Sequence, residues 1–357
     1  MSNMDGMNYA PKGKPAPVVT PGQFVIAAIA LDHGHIYGMV NGLLEAGATV
    51  KWVYDRNPAK SEAFTRRYPQ VQIASSEEQV LSDPEVHLIA GAAITSERCA
   101  LGLRVMDAGK DYFTDKAPFT TLEQLRMARA KVLETGKKYM VYYSERLHVE
   151  SAVYASQLIR QGAVGRIVQV TGFGPHRLNA SSRPDWFFQK DRYGGILCDI
   201  GSHQIEQFLF YAGCKKAEVL HSKVANYTCP DYPELEDFGD ATLLGDNGAT
   251  HYFRVDWLTP DGLATWGDGR TIIWGTEGYI ELRKYIDIAR DQTGNHVYLV
   301  NKEGEYHFHV DGQVGYPFFG ELILDCLNRT ENAMTQEHAF MAAELCLRAQ
   351  DMAIKVN

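Results

Sequence analysis

The chain has 357 residues, 45% of them apolar and 22% charged, with a net charge of −9 and a pI near 5.7. That length is long for one core and predicts two domains, while the acidic balance without any Lys/Arg run excludes a basic nucleic-acid-binding surface. Six scattered cysteines lacking a C-x-x-C spacing read as reduced thiols, and the longest apolar run, Phe24–Leu31, is too short to span a bilayer, so a cytoplasmic protein is expected.

Residues 1–21 carry four prolines and no apolar signal core, and read as a flexible N-terminal arm. Phe24–Leu31 is a continuous apolar run, as expected of a strand buried on both faces of a parallel sheet. A helix over Ile36–Ala46, closed by Gly47, and a strand over Thr49–Tyr54 complete a β-α-β unit that ends on Asp55. An acidic residue there has the spacing used to bond a ribose hydroxyl. The alternation continues through a helix (Ala59–Tyr68), a strand (Gln72–Ala74), a helix (Glu77–Leu81) and a strand (Val86–Gly91). A helix (Glu97–Ala108), a strand (Asp111–Thr114), a helix (Leu122–Glu134) and a strand (Tyr139–Tyr143) follow. Thr121 and Gln124 are placed for a capping box, with Gly136 as the stop. Residues 22–143 are therefore predicted to form a Rossmann-type doubly wound parallel sheet.

From residue 144 to 357 the rhythm changes. Helices are predicted over Val149–Gly162, after Gly201, and over Gly320–Asn328 and Glu337–Met352. Strands are expected at Arg166–Phe173, Glu218–Asn226, Ala241–Leu244, Thr250–Trp257, Thr271–Trp274, Tyr279–Arg283, Val297–Val300 and Tyr306–Val310. Asp246-Asn247-Gly248 signals a hairpin turn. The second domain is thus α+β, with a large, mostly antiparallel sheet. Trp257, Trp266 and Trp274 read as sheet packing or subunit contact.

The stretch Gly194-Gly195-Ile196-Leu197-Cys198-Asp199-Ile200-Gly201-Ser202-His203-Gln204-Ile205-Glu206 carries chemistry-bearing residues at regular spacing. His203 falls in the first turn of a predicted helix ending at Gly213, where the helix dipole favours neutral imidazole. Asp199 is placed to orient it. The residues alone leave two readings open, a cap with a packed histidine or an acid–base pair. A dinucleotide fold usually puts G-x-G-x-x-G after its first strand; the matching positions here are Ala30, Asp32 and His35. Three readings compete for Asp32-His33-Gly34-His35-Ile36: an altered phosphate loop in which Gly34 and the helix N-terminus cradle pyrophosphate with histidine help, a metal site of Asp32, His33 and His35, or a structural turn.

Asp111-Tyr-Phe-Thr-Asp115-Lys116-Ala117-Pro118, together with the Gly194–Glu206 stretch, resembles the glucose–fructose oxidoreductase/inositol dehydrogenase (Gfo/Idh/MocA) family. The family's E-K-P motif has Asp115 in place of glutamate, Lys116 matching, and the proline one residue late. In its G-G-x-x-x-D-x-x-x-H-x-x-D motif, Gly194, Gly195, Asp199 and His203 match and Glu206 stands for the last aspartate. The resemblance runs from Phe24 to about Ala353. It implies an NAD(P)-dependent oxidoreductase acting on a secondary alcohol or ketone of a sugar, cyclitol or glycoside, with Lys116, Asp199 and His203 in catalysis. It also implies a homodimer or homotetramer. Cofactor contacts are expected from Asp32, His33, Gly34, His35, Ile36, Asp55, Arg56 and Lys116. Asp55 favours NAD, with NADP possible because Arg56 adjoins it. Substrate contacts are expected from Arg146, His176, Arg177 and Trp186 beside Asp199 and His203, since aromatic faces with Arg and His donors suit a polyhydroxylated ring. No resident metal is expected. The competing functions are a non-catalytic sensor binding nucleotide or sugar, and a metal-dependent hydrolase or lyase built on Asp32, His33 and His35.

Overall fold

A computed structural model describes residues 6–356, and the chain divides into two compact units. The parallel-sheet unit comprises Met7–Tyr142 and Tyr316–Phe340. Its strands are β1 (Val25–Leu31), β2 (Thr49–Tyr54), β3 (Gln72–Ile73), β4 (Val86–Ala92), β5 (Asp111–Asp115) and β6 (Tyr139–Tyr142). They lie in the order β3-β2-β1-β4-β5-β6, all parallel, so the apolar β1 occupies the sheet centre and is buried almost throughout. The connecting helices are α1 (His35–Glu45), α2 (Pro58–Arg67), α3 (Glu77–Ser82), α4 (Arg98–Asp107) and α5 (Leu122–Thr135). At the start of α5 the Thr121 hydroxyl accepts the Gln124 amide, while the Gln124 side chain reaches back to the amide of Thr120. Gly136 ends the helix at φ +64°, a conformation glycine adopts without strain.

Two segments depart from the sequence expectation. Residues 7–21 are not a loose arm. The Gly13 amide donates to the Glu45 carboxylate at 2.9 Å, Ala16 and Val18 donate to the carbonyls of Glu45 and Ala46, and Val19 is buried. The expected arm's first five residues lie outside the described ones. The helix Pro317–Asn328 was expected among the closing elements of the second domain, yet it packs in the parallel-sheet unit. There Phe318 and Phe319 meet Phe113, and Arg329 pairs with Asp111 at 2.6 Å. Burying the Phe319 side chain contributes roughly 2–3 kcal/mol, enough to draw the helix to that core.

The large-sheet unit comprises Gly6, Tyr143–Gly315 and residues 341–356. Its strands are β7 (Ile167–Pro175), β8 (Ala217–Ala225), β9 (Phe238–Gly245), β10 (Thr250–Asp256), β11 (Arg270–Gly275), β12 (Gly278–Arg283), β13 (His296–Asn301), β14 (Gly304–His309) and β15 (Ile354–Val356). The order is β14-β13-β12-β11-β7-β10-β9-β8-β15, antiparallel except for the β7/β10 and β8/β15 pairs. The β9–β10 hairpin turns at Gly248, φ +83°. Strand β15 has no counterpart in the sequence reading, because three residues after a helix carry no periodicity of their own. Among the described residues no helix is long and apolar enough to cross a membrane.

The helix Gly201–Ala212 lies against β7 and β10. It comes so close that a Cβ on Gly172 of β7 would sit 2.1 Å from Gln204 Oε1. A short helical turn, Ile196–Asp199, precedes it through Ile200, and Gly194 and Gly195 set up that turn at φ +87° and +99°. At Gly195 an added Cβ would lie 2.2 Å from Gln350 Oε1 and 2.3 Å from Lys190 Nζ. Gly195→Ala therefore combines positive-φ strain with displacement of two polar side chains, and should cost about 2–4 kcal/mol. Chemical denaturation of the variant against the parent protein measures this; a loss below about 1 kcal/mol would mean the turn relaxes freely.

Candidate active site

In the parallel-sheet unit the carboxyl ends of β1, β4 and β5 converge on one buried anion. Asp115 closes β5, and its Oδ1 lies 2.8 Å from His35 Nδ1 and accepts the Lys116 amide at 2.8 Å. Its Oδ2 accepts Arg98 Nη2 at 3.1 Å and lies 3.1 Å from His33 Nδ1. Arg98, equally buried at the start of α4, also donates from Nε to the Ala93 carbonyl and from Nη1 to the carbonyls of Lys116 and Ala117. One guanidinium thus ties the turn bearing Lys116 to the loop after β4. The Lys116–Ala117 peptide is cis, and Lys116 itself is 5% exposed.

Burial works to raise the Asp115 carboxyl, but the attraction of His35, His33 and Arg98 outweighs it and holds the group well below the usual carboxylate range. Burial also pushes His33 well below the usual imidazole range, against the pull of Asp115. A neutral His33 contributes little charge, so the Arg98 guanidinium is the dependable counter-ion.

The loop after β1 therefore works differently from a glycine-rich one. His33 Nδ1 is 3.2 Å from the His35 amide and accepts from it, which caps the first turn of α1. A Cβ on Gly34 would meet the Met7 carbonyl at 2.5 Å and Asn8 Oδ1 at 2.6 Å, so this glycine faces the chain's own N-terminal strap rather than an open cradle. The expected pyrophosphate cradle of Gly34 and helix N-terminus is not the arrangement found. Ile36 is buried in the core. Asp32 pairs with Lys60 at 2.5 Å, which offsets its negative charge and separates it from the histidines' shared partner. The metal set Asp32, His33 and His35 is thus replaced by His33, His35 and Asp115, whose ligand atoms lie within 4.8 Å of one another. That carboxylate already holds the Arg98 cation, the arrangement of an ion pair.

A cavity of about 370 Å³ opens at the carboxyl ends of β1, β2 and β4, lined by Ala30, Asp32, Asp55, Arg56, Ile94 and Glu97 among others. Asp55 accepts the Leu31 amide at 2.6 Å and the Asn57 amide at 2.8 Å, one on each oxygen, which joins the ends of β1 and β2 and leaves lone pairs for a further donor. Arg56 is exposed, 3.8 Å from Glu97. Volume, position and donor set fit the nucleoside half of a dinucleotide.

In the large-sheet unit, His203 is buried on the helix Gly201–Ala212, and Asp199 is half-buried one turn earlier. Asp199 is not the helix cap: its own amide bonds the Gly195 carbonyl, and Ile200 stands at the cap position with no side-chain bond. Arg146, expected to contact substrate, instead grips Glu206 through Nε at 2.7 and 2.9 Å and through Nη2, with its guanidinium over Phe210. Glu206 is therefore a buried counter-ion. Arg177 likewise turns to the chain, donating from Nη2 to the carbonyls of Pro260 and Leu263. His176 Nδ1 lies 3.1 Å from the Gly174 carbonyl, and its ring packs on Trp257 and Trp266. These two tryptophans, read from sequence as packing, thus form the wall around His176. Trp186 is half-buried beside Phe187, and Trp274 is exposed on the sheet's other face. Arg98 and Lys284 escaped the sequence reading; a lone charged residue inside a predicted helix or strand end gives no signal that it is buried.

A parallel β3-β2-β1-β4-β5-β6 sheet with a nucleoside-sized cavity, followed by a large-sheet unit carrying Asp199 and His203, defines a dinucleotide-fold protein with a separate second unit. A family model of the GFO/IDH/MocA C-terminal domain matches residues 153–281. A solved structure from Erwinia carotovora atroseptica SCRI1043, assigned to the oxidoreductases, is 52% identical, covering 94% of this chain and 100% of that one, with a TM-score of 0.91. The chain belongs to the Gfo/Idh/MocA family. It is 31% identical over 216 residues to D-xylose dehydrogenase of Paenarthrobacter nicotinovorans, a match covering 58% of this chain and only 53% of that enzyme's length. It is 25% identical over 280 residues to scyllo-inositol 2-dehydrogenase (NAD(+)) of Bacillus subtilis, covering 77% of this chain and 75% of that one.

Asp115→Asn leaves Arg98 buried without its counter-charge and should cost about 3–5 kcal/mol, read by denaturant unfolding. For Asp115 and His33 the folded pKa lies below the unfolded one, so the unfolded state binds more protons and stability rises with pH. On acidification the His33 share is lost first, below the unfolded value of about 6.5, and the Asp115 share below about 3.9. His251, held near 4 by burial, adds to the first window. His33→Gln should remove about 1.4 kcal/mol per pH unit from the stability slope between about pH 6.5 and 5; an unchanged slope would show His33 to be charged in the fold. Metal analysis of protein purified without chelator should find no stoichiometric zinc; one ion per chain would make His33, His35 and Asp115 ligands instead.

Proposed function

We propose that the protein is an NAD(P)-dependent oxidoreductase that transfers hydride between the nicotinamide and a secondary alcohol or ketone of a sugar, cyclitol or related polyol. The observation that carries this reading is Lys116, buried and clamped by Arg98 at the carboxyl end of β5 in a dinucleotide-type sheet. The second unit carries the Asp199/His203 pair. Bound at the cavity beside Asp55, NAD(P)+ would supply the hydride acceptor. The remaining chemistry belongs to the chain's own side chains. His203 takes the hydroxyl proton at an imidazole nitrogen, Asp199 orients the ring and stabilises its charged form, and Lys116 bonds the reacting oxygen as alkoxide charge develops. Asp55 accepts a ribose hydroxyl and disfavours a 2′-phosphate, so NAD is the preferred cofactor, with Arg56 at the cavity mouth moderating the preference.

Two further features accompany this reading. On β7, β10 and β11, Gln169, Tyr252 and Trp274 point to solvent while Val170, Phe253 and Ile273 are buried. An exposed aromatic sheet face of this kind supports a homo-oligomer, and sedimentation showing only monomer at micromolar concentration would count against it. The six cysteines carry no disulfide, which supports a cytoplasmic setting.

Nicotinamide reduction followed at 340 nm (the wavelength at which reduced nicotinamide absorbs) with D-xylose, D-glucose, myo-inositol and scyllo-inositol tests the activity. Turnover is expected with at least one, and His203→Ala and Lys116→Ala should each lower kcat by about a hundredfold or more. Nucleotide binding without turnover of any polyol would favour the sensor reading, and unaffected variants would remove the role assignments.

A further inference from the structure

The large-sheet unit holds a second buried ion pair, which none of the roles above uses. Glu145, in the short helix Ser144–Leu147, is 2% exposed, and Lys284, just after β12, is equally enclosed. Glu145 Oε2 accepts Lys284 Nζ at 2.8 Å and Gln204 Nε2 at 3.0 Å. Lys284 Nζ also donates to Gln207 Oε1 at 2.7 Å, and Gln207 Nε2 donates to the His203 carbonyl at 2.7 Å. Two side chains of the His203 helix, Gln204 and Gln207, are thereby locked to this pair. Burial, the largest influence on the Glu145 carboxyl, works to raise it. Lys284, then His203 and His176, outweigh that and bring the group to about 2, so Glu145 is ionised and accepts without donating. The geometric link to His203 is the shared helix, since Gln204 and Gln207 follow that histidine and both bond this pair.

The two oxygens of Glu145 differ. Oε2 has its donors, whereas Oε1 is buried and receives no hydrogen bond from any described residue. A buried carboxylate oxygen without a donor is costly, and such atoms are nearly always matched by a partner from protein, solvent or ligand. Lys284 already balances the charge, so a neutral donor suits Oε1 better than a second cation.

We propose that Glu145 Oε1 is a substrate-specificity contact: it accepts a hydrogen bond from a hydroxyl of the bound polyol, adjacent to the hydroxyl whose proton His203 removes. The inference rests on the oxidoreductase reading above. Lys284 acts through Glu145 as a positioning residue, keeping the carboxylate ionised and aimed. A site built this way accepts a hydroxyl and rejects the deoxy or O-methyl analogue at that carbon, because the analogue leaves a buried anion unmatched.

The test pairs protein and substrate changes. Whichever of D-xylose, D-glucose, myo-inositol or scyllo-inositol is oxidised fastest is compared with its monodeoxy and O-methyl derivatives. With the parent protein, kcat/KM should fall about a hundredfold or more for the derivatives at one carbon. In the paired variant Glu145→Gln with Lys284→Met, which keeps the site neutral, the intact substrate should fall to a similar level, and the same derivatives should lose little more. Thermal unfolding checks that the paired variant folds; Glu145→Asp, which keeps the charge but withdraws the oxygen, gives the same comparison if it does not. Losses that multiply independently, as a bridging water would produce, or a variant with parental rates, would overturn the role of Glu145 alone. A parent protein inactive on every probe would instead overturn the oxidoreductase reading, and this inference with it.

Discussion

A carboxylate taken out of water must be given donors, and the parallel-sheet unit is arranged around that demand at Asp115. Its oxygens draw together the ends of β1, β4 and β5: His35 from the first loop, Arg98 from the start of α4, and the amide of Lys116 from its own turn. Breaking such a set leaves an uncompensated charge, which is why buried ion pairs specify geometry more than they add stability. Lys116 owes its placement to this. The Arg98 guanidinium binds the carbonyls of Lys116 and Ala117 while holding the Asp115 carboxylate and the Ala93 carbonyl.

The same constraint accounts for the glycine-poor loop. Glycines after β1 serve to leave backbone donors open and let phosphate approach. Here the His33 imidazole satisfies the first-turn donor of α1, His35 sits on Asp115, and the strap at Met7 and Asn8 lies against Gly34. Side chains fill the volume that glycines would have left empty, and Lys60 neutralises Asp32. What remains suited to a nucleotide is the cavity beside Asp55, whose carboxylate both joins two strands and keeps lone pairs to offer.

The large-sheet unit repeats the theme. Arg146 with Glu206, and Lys284 with Glu145, are buried pairs that fasten neighbouring elements to the helix of His203. That helix approaches β7 closely enough to require Gly172, and its entry turn requires Gly195. Groups that looked like substrate contacts, Arg146 and Arg177, are committed to the protein's own carboxylate and carbonyls. A charged side chain in a motif reads alike in sequence whether its partner is a ligand or the chain itself.

The amino-acid sequence by itself determined the alternation of strands and helices over residues 22–143, the antiparallel run after it, the helix stops at Gly136 and Gly213, and the two motifs around Lys116 and His203. Each of these is a local matter of side-chain period, turn chemistry or residue spacing, which the chain carries along its length. Tertiary structure alone decided that residues 7–21 pack as a strap, that the helix Pro317–Asn328 joins the parallel-sheet unit, and that Val356 ends a strand beside β8. It also decided which charges are buried. Asp115 finding Arg98, Arg146 finding Glu206 and Glu145 finding Lys284 span separations of 17, 60 and 139 residues. Pairings at that range follow from how layers stack and which volumes remain, and no local pattern encodes them.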